Sequence, residues 1–390
     1  MIPVAQALDH LFALVTPLET ETVPLRTAAG RVLSGSVQAR RDQPPFAASA
    51  MDGYAVKSAE VEPDVMLKVV GEAAAGHAWR GTVQAGEAVR IFTGAPVPAG
   101  ADHVVIQEDV TRTGDLITLG RNLSAGTNIR PAGGDFTAGS TLDGPRRLGP
   151  ADLALLAAMN IAEVPVARAP RVALIATGDE LVMPGGAPAD DQIIASNTFG
   201  LAAQIEARGG IARILPIARD TAPALRQAFA LARGADLIVT IGGASVGDHD
   251  LVAPVAAELG MEQSFYKVAM RPGKPLMAGR LEGTPMIGLP GNPVSALVCG
   301  TVFLGPVLDV MQGLPAAPVP RRSVPLAAPL GANGPREHYM RAVLDGDGVR
   351  DAGAQDSSLL HILAAANALI VRPPDDPARV PGDMVQIVDL

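Results

Sequence analysis

Between Arg171 and Gly291 the chain reads RVALIATG (Arg171–Gly178), SNTFGLAAQIEARGG (Ser196–Gly210), ARILPIA (Ala212–Ala218), TAPALRQAFALARG (Thr221–Gly234), ADLIVTIGG (Ala235–Gly243) and PMIGLPG (Pro285–Gly291). Short apolar runs ending in Gly alternate with stretches of helical periodicity. Ser196 or Asn197 stands where an N-cap belongs, and Gly209 just past the helix end. A further helix is expected near Leu251–Leu259 and a short strand around Phe265–Met270. Alternation on this scale predicts a parallel, doubly wound α/β sheet. Strands this uniformly apolar are covered on both faces.

Outward from this segment the grammar changes. Before it, VMLKVVGEAAAG (Val65–Gly76), GEAVRIFTGAPVPAGADHVVIQED (Gly86–Asp109) and DLITLGRN (Asp115–Asn122) are short apolar runs between Gly, Pro and Asp turns, the pattern of β-rich units. PADLALLAAMN (Pro150–Asn160) reads as a helix with Pro in its first turn. It leads into a linker near Pro165–Pro170. The N-terminal MIPVAQALDHLFALV has apolar Val4, Ala7, Leu8, Leu11, Phe12 and Val15 at helical spacing, so an amphipathic helix is expected. It lacks a basic leader and carries Asp9 and His10, so it does not read as a signal peptide. After Gly313, the Pro-rich joint LPAAPVPRRSVP precedes a β-patterned tail ending PGDMVQIVDL. The expected fold is thus multidomain α/β plus β. Residues 1–45 and 140–170 form an N-terminal and linker domain, 46–139 a β-rich second domain, 171–315 the α/β domain, and 316–390 a small C-terminal β domain.

Composition narrows the function. The 390 residues exceed what one core usually organises. With 31 Lys and Arg against 40 Asp and Glu, the net charge is −9, and only 3% of residues are aromatic, which argues against nucleic-acid binding. A single cysteine, Cys299, excludes an intrachain disulfide and fits a reducing, cytoplasmic setting. The uncharged stretch Gly283–Leu308 is broken by Pro290-Gly-Asn-Pro293, so neither piece reaches the roughly 20 apolar residues of a membrane span.

Ligands of open α/β sheets bind at the carboxyl ends of the strands. Four segments place unusual residues there: ATGDEL with Asp179 and Glu180; TIGGASVGDHD with Gly242, Gly243, Ser245, Gly247, Asp248 and Asp250; KVAMRPGKP with Lys267, Arg271 and Lys274; and GLPGNPVS with Pro290, Gly291, Asn292, Pro293 and Ser295. Glycines let backbone N–H groups approach an oxyanion, and a helix starting after Asn292 adds partial positive charge. The three basic residues suit phosphate. Carboxylates beside an anion call for a hard cation, and Mg²⁺ with one or two carboxylates and substrate phosphate is the usual arrangement. No GxGxxG, GxxxxGK[ST] or HExxH occurs, which argues against a dinucleotide fold, a P-loop and a zinc protease. PPFAASAMDGYAV (Pro44–Val56) reads either as a domain-crossing loop or as a loop over a neighbouring site. Thr93 and Gly94 in RIFTGAPVPAGAD, and Asp135 with Arg130 in NIRPAGGDF, read equally as turn residues.

SAMDGYAV, RIFTGAPVPAGADHVV, IRPAGGDF, ATGDEL, GGASVGDHD, RPGKP and GLPGNPVS, in this order along nearly the whole chain, resemble the molybdopterin molybdenumtransferase or MoeA family, which includes the gephyrin E domain. The resemblance implies a four-domain homodimer with a molybdopterin-binding α/β domain. It implies that adenylylated molybdopterin and molybdate react with Mg²⁺, releasing AMP and leaving molybdenum on the dithiolene. The cleft would lie between the α/β domain of one subunit and the second domain of the other. By motif match it assigns Asp52, Thr93, Asp135, Glu180, Asp220, Asp250, Lys267, Lys274, Pro290 and Pro293 to the site. It implies Asp52, Glu180, Asp250, Lys267 and Lys274 for catalysis, and Glu180, Asp248 and Asp250 for the metal. In the tail, GPREHYMRA and QDSSLLHILAAANALI resemble the family's Arg-x-x-x-x-Arg and Ser-rich segments, implying a molybdate pocket of Arg336, Arg341 and Ser357. The chain departs from the family's common pattern at Arg271, where Lys is usual, and at Ala244 and His361. Two alternatives share the α/β domain: a molybdopterin adenylyltransferase, which is also the enzyme expected to hand over the substrate, and a gephyrin-like scaffold. A sugar or nucleotide binder on the same sheet is a third.

Overall fold

The computed structural model describes residues 1–243 and 251–390. Ser245, Gly247, Asp248 and Asp250, expected at the site, therefore lie outside the described residues.

The α/β unit is built on a six-stranded sheet ordered Ile211–Ile214, Arg171–Ala176, Leu237–Ile241, Thr284–Leu289, Met277–Leu281, Glu262–Tyr266. The first four strands are parallel, as their apolar runs and intervening helices require. One strand, Met277–Leu281, corrects the all-parallel expectation: it runs antiparallel to both neighbours. It pairs with Thr284–Leu289 through a two-residue turn, with Glu282 at φ 48° and Gly283 at φ 83°, the backbone a tight hairpin needs. The strand expected around Phe265–Met270 lies instead at Glu262–Tyr266.

Both faces of the sheet are covered. Val172 and Leu174 pack on one core with the helices Asn197–Ala207 and Pro293–Met311. Ala173 and Ile175 pack on a second core with the helices Ala222–Leu231 and Val252–Glu258. Pro293–Met311 spans 19 residues through a π turn at Gly300–Leu304, and 83% of its apolar window is buried, so it is a core helix.

The N-terminal helix Val4–Leu14 forms as its periodicity predicts, burying Val4, Ala7, Leu8 and Leu11. Its apolar stripe joins the core of the α/β unit, although the chain reading grouped residues 1–45 together. Backbone bonds from Ile2 N–H to Lys267 O (3.2 Å) and from Leu18 N–H to Met311 O (2.8 Å) secure it there. A four-stranded sheet of Thr20–Pro24, Glu163–Ala167, Val32–Leu33 and Arg146–Arg147 shares a separate core with the helix Pro150–Ala158. A six-stranded sheet between Gly53 and Leu119 has small apolar clusters on each face.

The C-terminal sheet orders Met270–Arg271, Glu337–Asp345, Ala368–Arg372, Met384–Asp389 and Arg322–Pro325, with Gly348–Asp351 on Glu337–Asp345. Its first strand is donated by the RPGKP segment of the α/β unit. Tyr339, Leu369, Val371 and Val388 extend the α/β core, so these two units share one apolar interior.

Candidate functional site

A cleft of about 760 Å³ opens at the carboxyl ends of Arg171–Ala176 and Leu237–Ile241. These strands flank the point where the sheet order reverses, the crevice where such sheets hold ligands. Thr177, Gly178 and Glu180 leave the first strand, Gly242 and Gly243 leave the second, and Pro290, Gly291, Asn292 and Pro293 join the next strand to its helix. Asp220 lines the same cleft, as do Ser196, Asn197, Pro275 and Ser358.

Local chemistry explains the close approach. Gly242 has φ 93°, and a Cβ there would stand 2.8 Å from the Thr177 carbonyl oxygen, so only glycine lets the two strand ends meet. The Asp220 N–H donates to Asp179 Oδ1 at 3.2 Å, tying the neighbouring rim to the loop that bears Glu180. The Asn197 side-chain amide donates to the Gly291 carbonyl at 2.7 Å, pinning the Pro290–Pro293 turn to the start of a second helix.

The basic segment stands next to this cleft. Of KVAMRPGKP, Pro275 lines it. Lys267 holds a left-handed backbone at φ 71°, braced by its N–H on Leu276 O at 2.9 Å and its carbonyl on Ile2 N–H, and its ammonium lies 5.0 Å over the Tyr266 ring. Arg271 and Lys274 are exposed. Arg336 donates to Met270 O at 3.3 Å, which brings Arg336, Arg271 and the buried His338 to one seam between the units. Burial first, then the surrounding Arg271, Arg372, Arg336 and Arg341, pushes His338 down to about 4.

Arg341, assigned by resemblance to the molybdate pocket, is an interior side chain. Only 1% of it is exposed. Its guanidinium donates to Leu359 O (3.1 Å) and Ala354 O (3.0 Å), its backbone N–H donates to Gln355 Oε1 (3.0 Å), and burial depresses its pKa. The side chain is spent on shaping the loop 354–359. That loop docks on the cleft: Ser357 O accepts the Val294 N–H at 3.0 Å, and Ser358 lines the wall. Asp356 Oδ1 accepts both the N–H and the hydroxyl of Ser358, which lowers the Asp356 pKa.

Asp52, Thr93 and Asp135 are not part of this cleft within one chain. Asp52 Oδ1 accepts the Thr93 backbone N–H and hydroxyl, each at 2.7 Å, and these bonds hold the carboxyl below its usual range. Asp135 lies exposed on a loop whose N–H meets Gln43 O at 2.9 Å.

As to a metal, Glu180 and Asp220 offer the hard oxygen donors Mg²⁺ takes, and two carboxylates plus a substrate phosphate would complete such a site. Among the described residues, no group of three or more His, Cys, Asp or Glu could hold an ion alone. Sequence reasoning missed Asn197, Ile193, Ile194 and Ser358. Asn197 was read as a helix cap, and its reach to Gly291, 94 positions away, leaves no local signal.

Residues 2–160 match the MoeA N-terminal region (domain I and II), residues 173–310 a probable molybdopterin binding domain, and residues 323–390 the MoeA C-terminal region (domain IV). The chain is 39% identical over 387 residues, 95% of each sequence, to molybdopterin molybdenumtransferase 2 of Mycobacterium tuberculosis. It is 36% identical to the molybdopterin molybdenumtransferase of a Nostoc species over 96% of this chain and 90% of that one. A solved molybdopterin biosynthesis MoeA protein from Pyrococcus horikoshii OT3 superposes over all of both chains with a TM-score of 0.87 at 26% identity.

Proposed function

The chain belongs to the MoeA family and is an enzyme of molybdenum cofactor biosynthesis of the molybdopterin molybdenumtransferase kind, and from that premise we propose the finer chemistry. Its substrates are adenylylated molybdopterin and molybdate, and its products are AMP and molybdenum-bearing molybdopterin. The observation carrying this reading is the convergence of Glu180, Asp220, Gly242, Gly243 and the Pro290–Pro293 turn on one cleft at the strand-order reversal.

The substrate's phosphoanhydride lies along the turns at Gly243 and at Gly291–Asn292, whose N–H groups favour phosphate oxygens. Lys267, Arg271, Lys274 and Arg336 draw both anions to an otherwise acidic protein. Glu180, with Asp248 and Asp250 as the family resemblance assigns them, would hold Mg²⁺, which would neutralise charge building on the phosphates. Asn197 and Arg341 keep the turn and the loop 354–359 in place, and Ser357 and Ser358 offer polar groups to molybdate. A water oxygen attacking the AMP phosphorus breaks the anhydride bond, expels the molybdopterin phosphate and gives AMP directly; a molybdate oxygen attacking there gives adenylyl-molybdate, from which a dithiolene sulfur bonding to molybdenum displaces AMP with the bridging oxygen. Asp52, Thr93 and Asp135 come from the second subunit of a homodimer, since one chain keeps them apart from the cleft. The setting is cytoplasmic, with a molybdopterin adenylyltransferase supplying substrate.

The test follows AMP from purified protein, adenylylated molybdopterin, molybdate and Mg²⁺. Molybdate-dependent AMP release is expected, and Asp250→Ala should abolish it while substrate binding survives. Adenylylated product from molybdopterin and ATP without molybdate would assign the chain to the adenylyltransferase reaction instead.

A further inference from the structure

We infer that Ile193 and Ile194 form an apolar subsite that takes the face of a flat heteroaromatic ring of the substrate; this rests on the proposed reaction. In the α/β sheet, nearly every large aliphatic side chain of the central strands is buried. Ile193 and Ile194 are 58% and 38% exposed, and both line the cleft. Leaving two large aliphatic side chains open in a cleft that also presents Glu180, Asp220, Gly242 and Gly243 forgoes the stabilisation burial would bring.

Their placement is fixed. Residues 193–194 pair in parallel with Leu181–Val182. The Ile193 N–H donates to Glu180 O at 2.7 Å, and the Ala195 N–H to Val182 O at 2.9 Å. The apolar wall is therefore built onto the same loop that carries Glu180. Gly242, Gly243 and the Pro293 helix start line the same cleft.

The cleft thus combines glycine turns and carboxylates with open branched aliphatic surface. A ligand with phosphates at one end and a planar ring at the other has the same combination. β-Branched side chains are stiff at χ1, so they present a ready surface to a ring face at little entropic cost, and dispersion and desolvation supply the affinity. A cleft of this volume accommodates such a molecule. Adenylylated molybdopterin offers two candidates, adenine and pterin, which share this chemistry.

The experiment uses the full chain and the double variant Ile193→Ala/Ile194→Ala, with Ile193→Val/Ile194→Val as the conservative control. AMP carries adenine alone and molybdopterin carries pterin alone, so calorimetric titration with each separates the two rings. We expect one of the two affinities to fall about tenfold, KM for adenylylated molybdopterin to rise about tenfold, kcat to stay within about twofold, and the valine pair to restore binding, because a ring distant from phosphorus contributes uniform binding. Unchanged affinity for both probes with unchanged KM overturns the inference, as does a change confined to oligomeric state, which would make the pair a subunit contact. If wild-type protein releases no AMP from adenylylated molybdopterin, the reaction assignment fails, and the two titrations still decide the subsite.

Discussion

The Asn197 side-chain amide meets the Gly291 carbonyl oxygen at 2.7 Å, and through that one bond the start of one helix governs the turn that begins another. Asn197→Ala removes the donor and frees the Pro290–Pro293 turn. Loss of a positioning contact beside the chemistry should lower kcat/KM about tenfold, with about 1 kcal/mol of stability lost. Asn197→Asp should be worse, because a carboxylate would face a carbonyl oxygen. AMP-release kinetics on both variants check this, and wild-type kinetics in Asn197→Ala would reduce the bond to a structural one.

Arg341 is expected to act through the loop it holds. Arg341→Met fills the space but removes the donors to the Leu359 and Ala354 carbonyl oxygens, while its backbone N–H keeps Gln355. About 1–3 kcal/mol of stability should go, read as a lower Tm. Limited proteolysis should then cut between residues 352 and 360 faster than in the wild type. Arg341→Lys keeps the charge without the planar fork and should fall between the two. A fully stable Arg341→Met with intact molybdate binding would show that the loop stands unaided.

Because Asp52 and Thr93 bond each other away from the cleft, subunit complementation follows from the homodimer proposal. Asp52→Ala and Glu180→Ala should each be inactive alone. Co-expressed in equal amounts they should recover about a quarter of wild-type activity, since half the dimers are mixed and each keeps one intact site. No recovery would place both residues in sites of a single chain.

His338 makes acid stability testable. Its native pKa, about 4, lies below the ordinary 6.5, so the folded state resists its protonation. Stability from keeping it neutral is complete above about pH 6.5 and is lost as pH falls from there through about 4. His338→Gln should flatten the fall of Tm across that window and leave Tm near pH 8 little changed. A parallel acid limb in the variant would show that other groups carry the loss.

Much of the fold was legible in residue patterns. Both faces of Arg171–Ala176 and Leu237–Ile241 are covered, so their composition reads as uniformly apolar, and the helices between them leave caps and glycines. The hairpin strand Met277–Leu281 was missed because MAGRL is short and carries Gly279 and Arg280. The boundary near residue 315 was visible as proline, but the shared core beneath it was not. Met270–Arg271 pairs with a strand more than sixty residues later, and strand donation has no local signature.

What the sequence by itself determined is the order of elements and the chemical character of each strand end, because periodicity, caps and turn residues act over a few positions. Glu180, Gly242 and Asn292 could be named that way. Only the tertiary structure decided that Arg341 is interior and spent on a loop, that Asn197 reaches Gly291, that Ile193 and Ile194 stay open, and that Asp52 lies outside the cleft of its own chain. Burial and partner choice depend on what lies opposite a side chain in space, and that is fixed by packing between segments far apart along the chain.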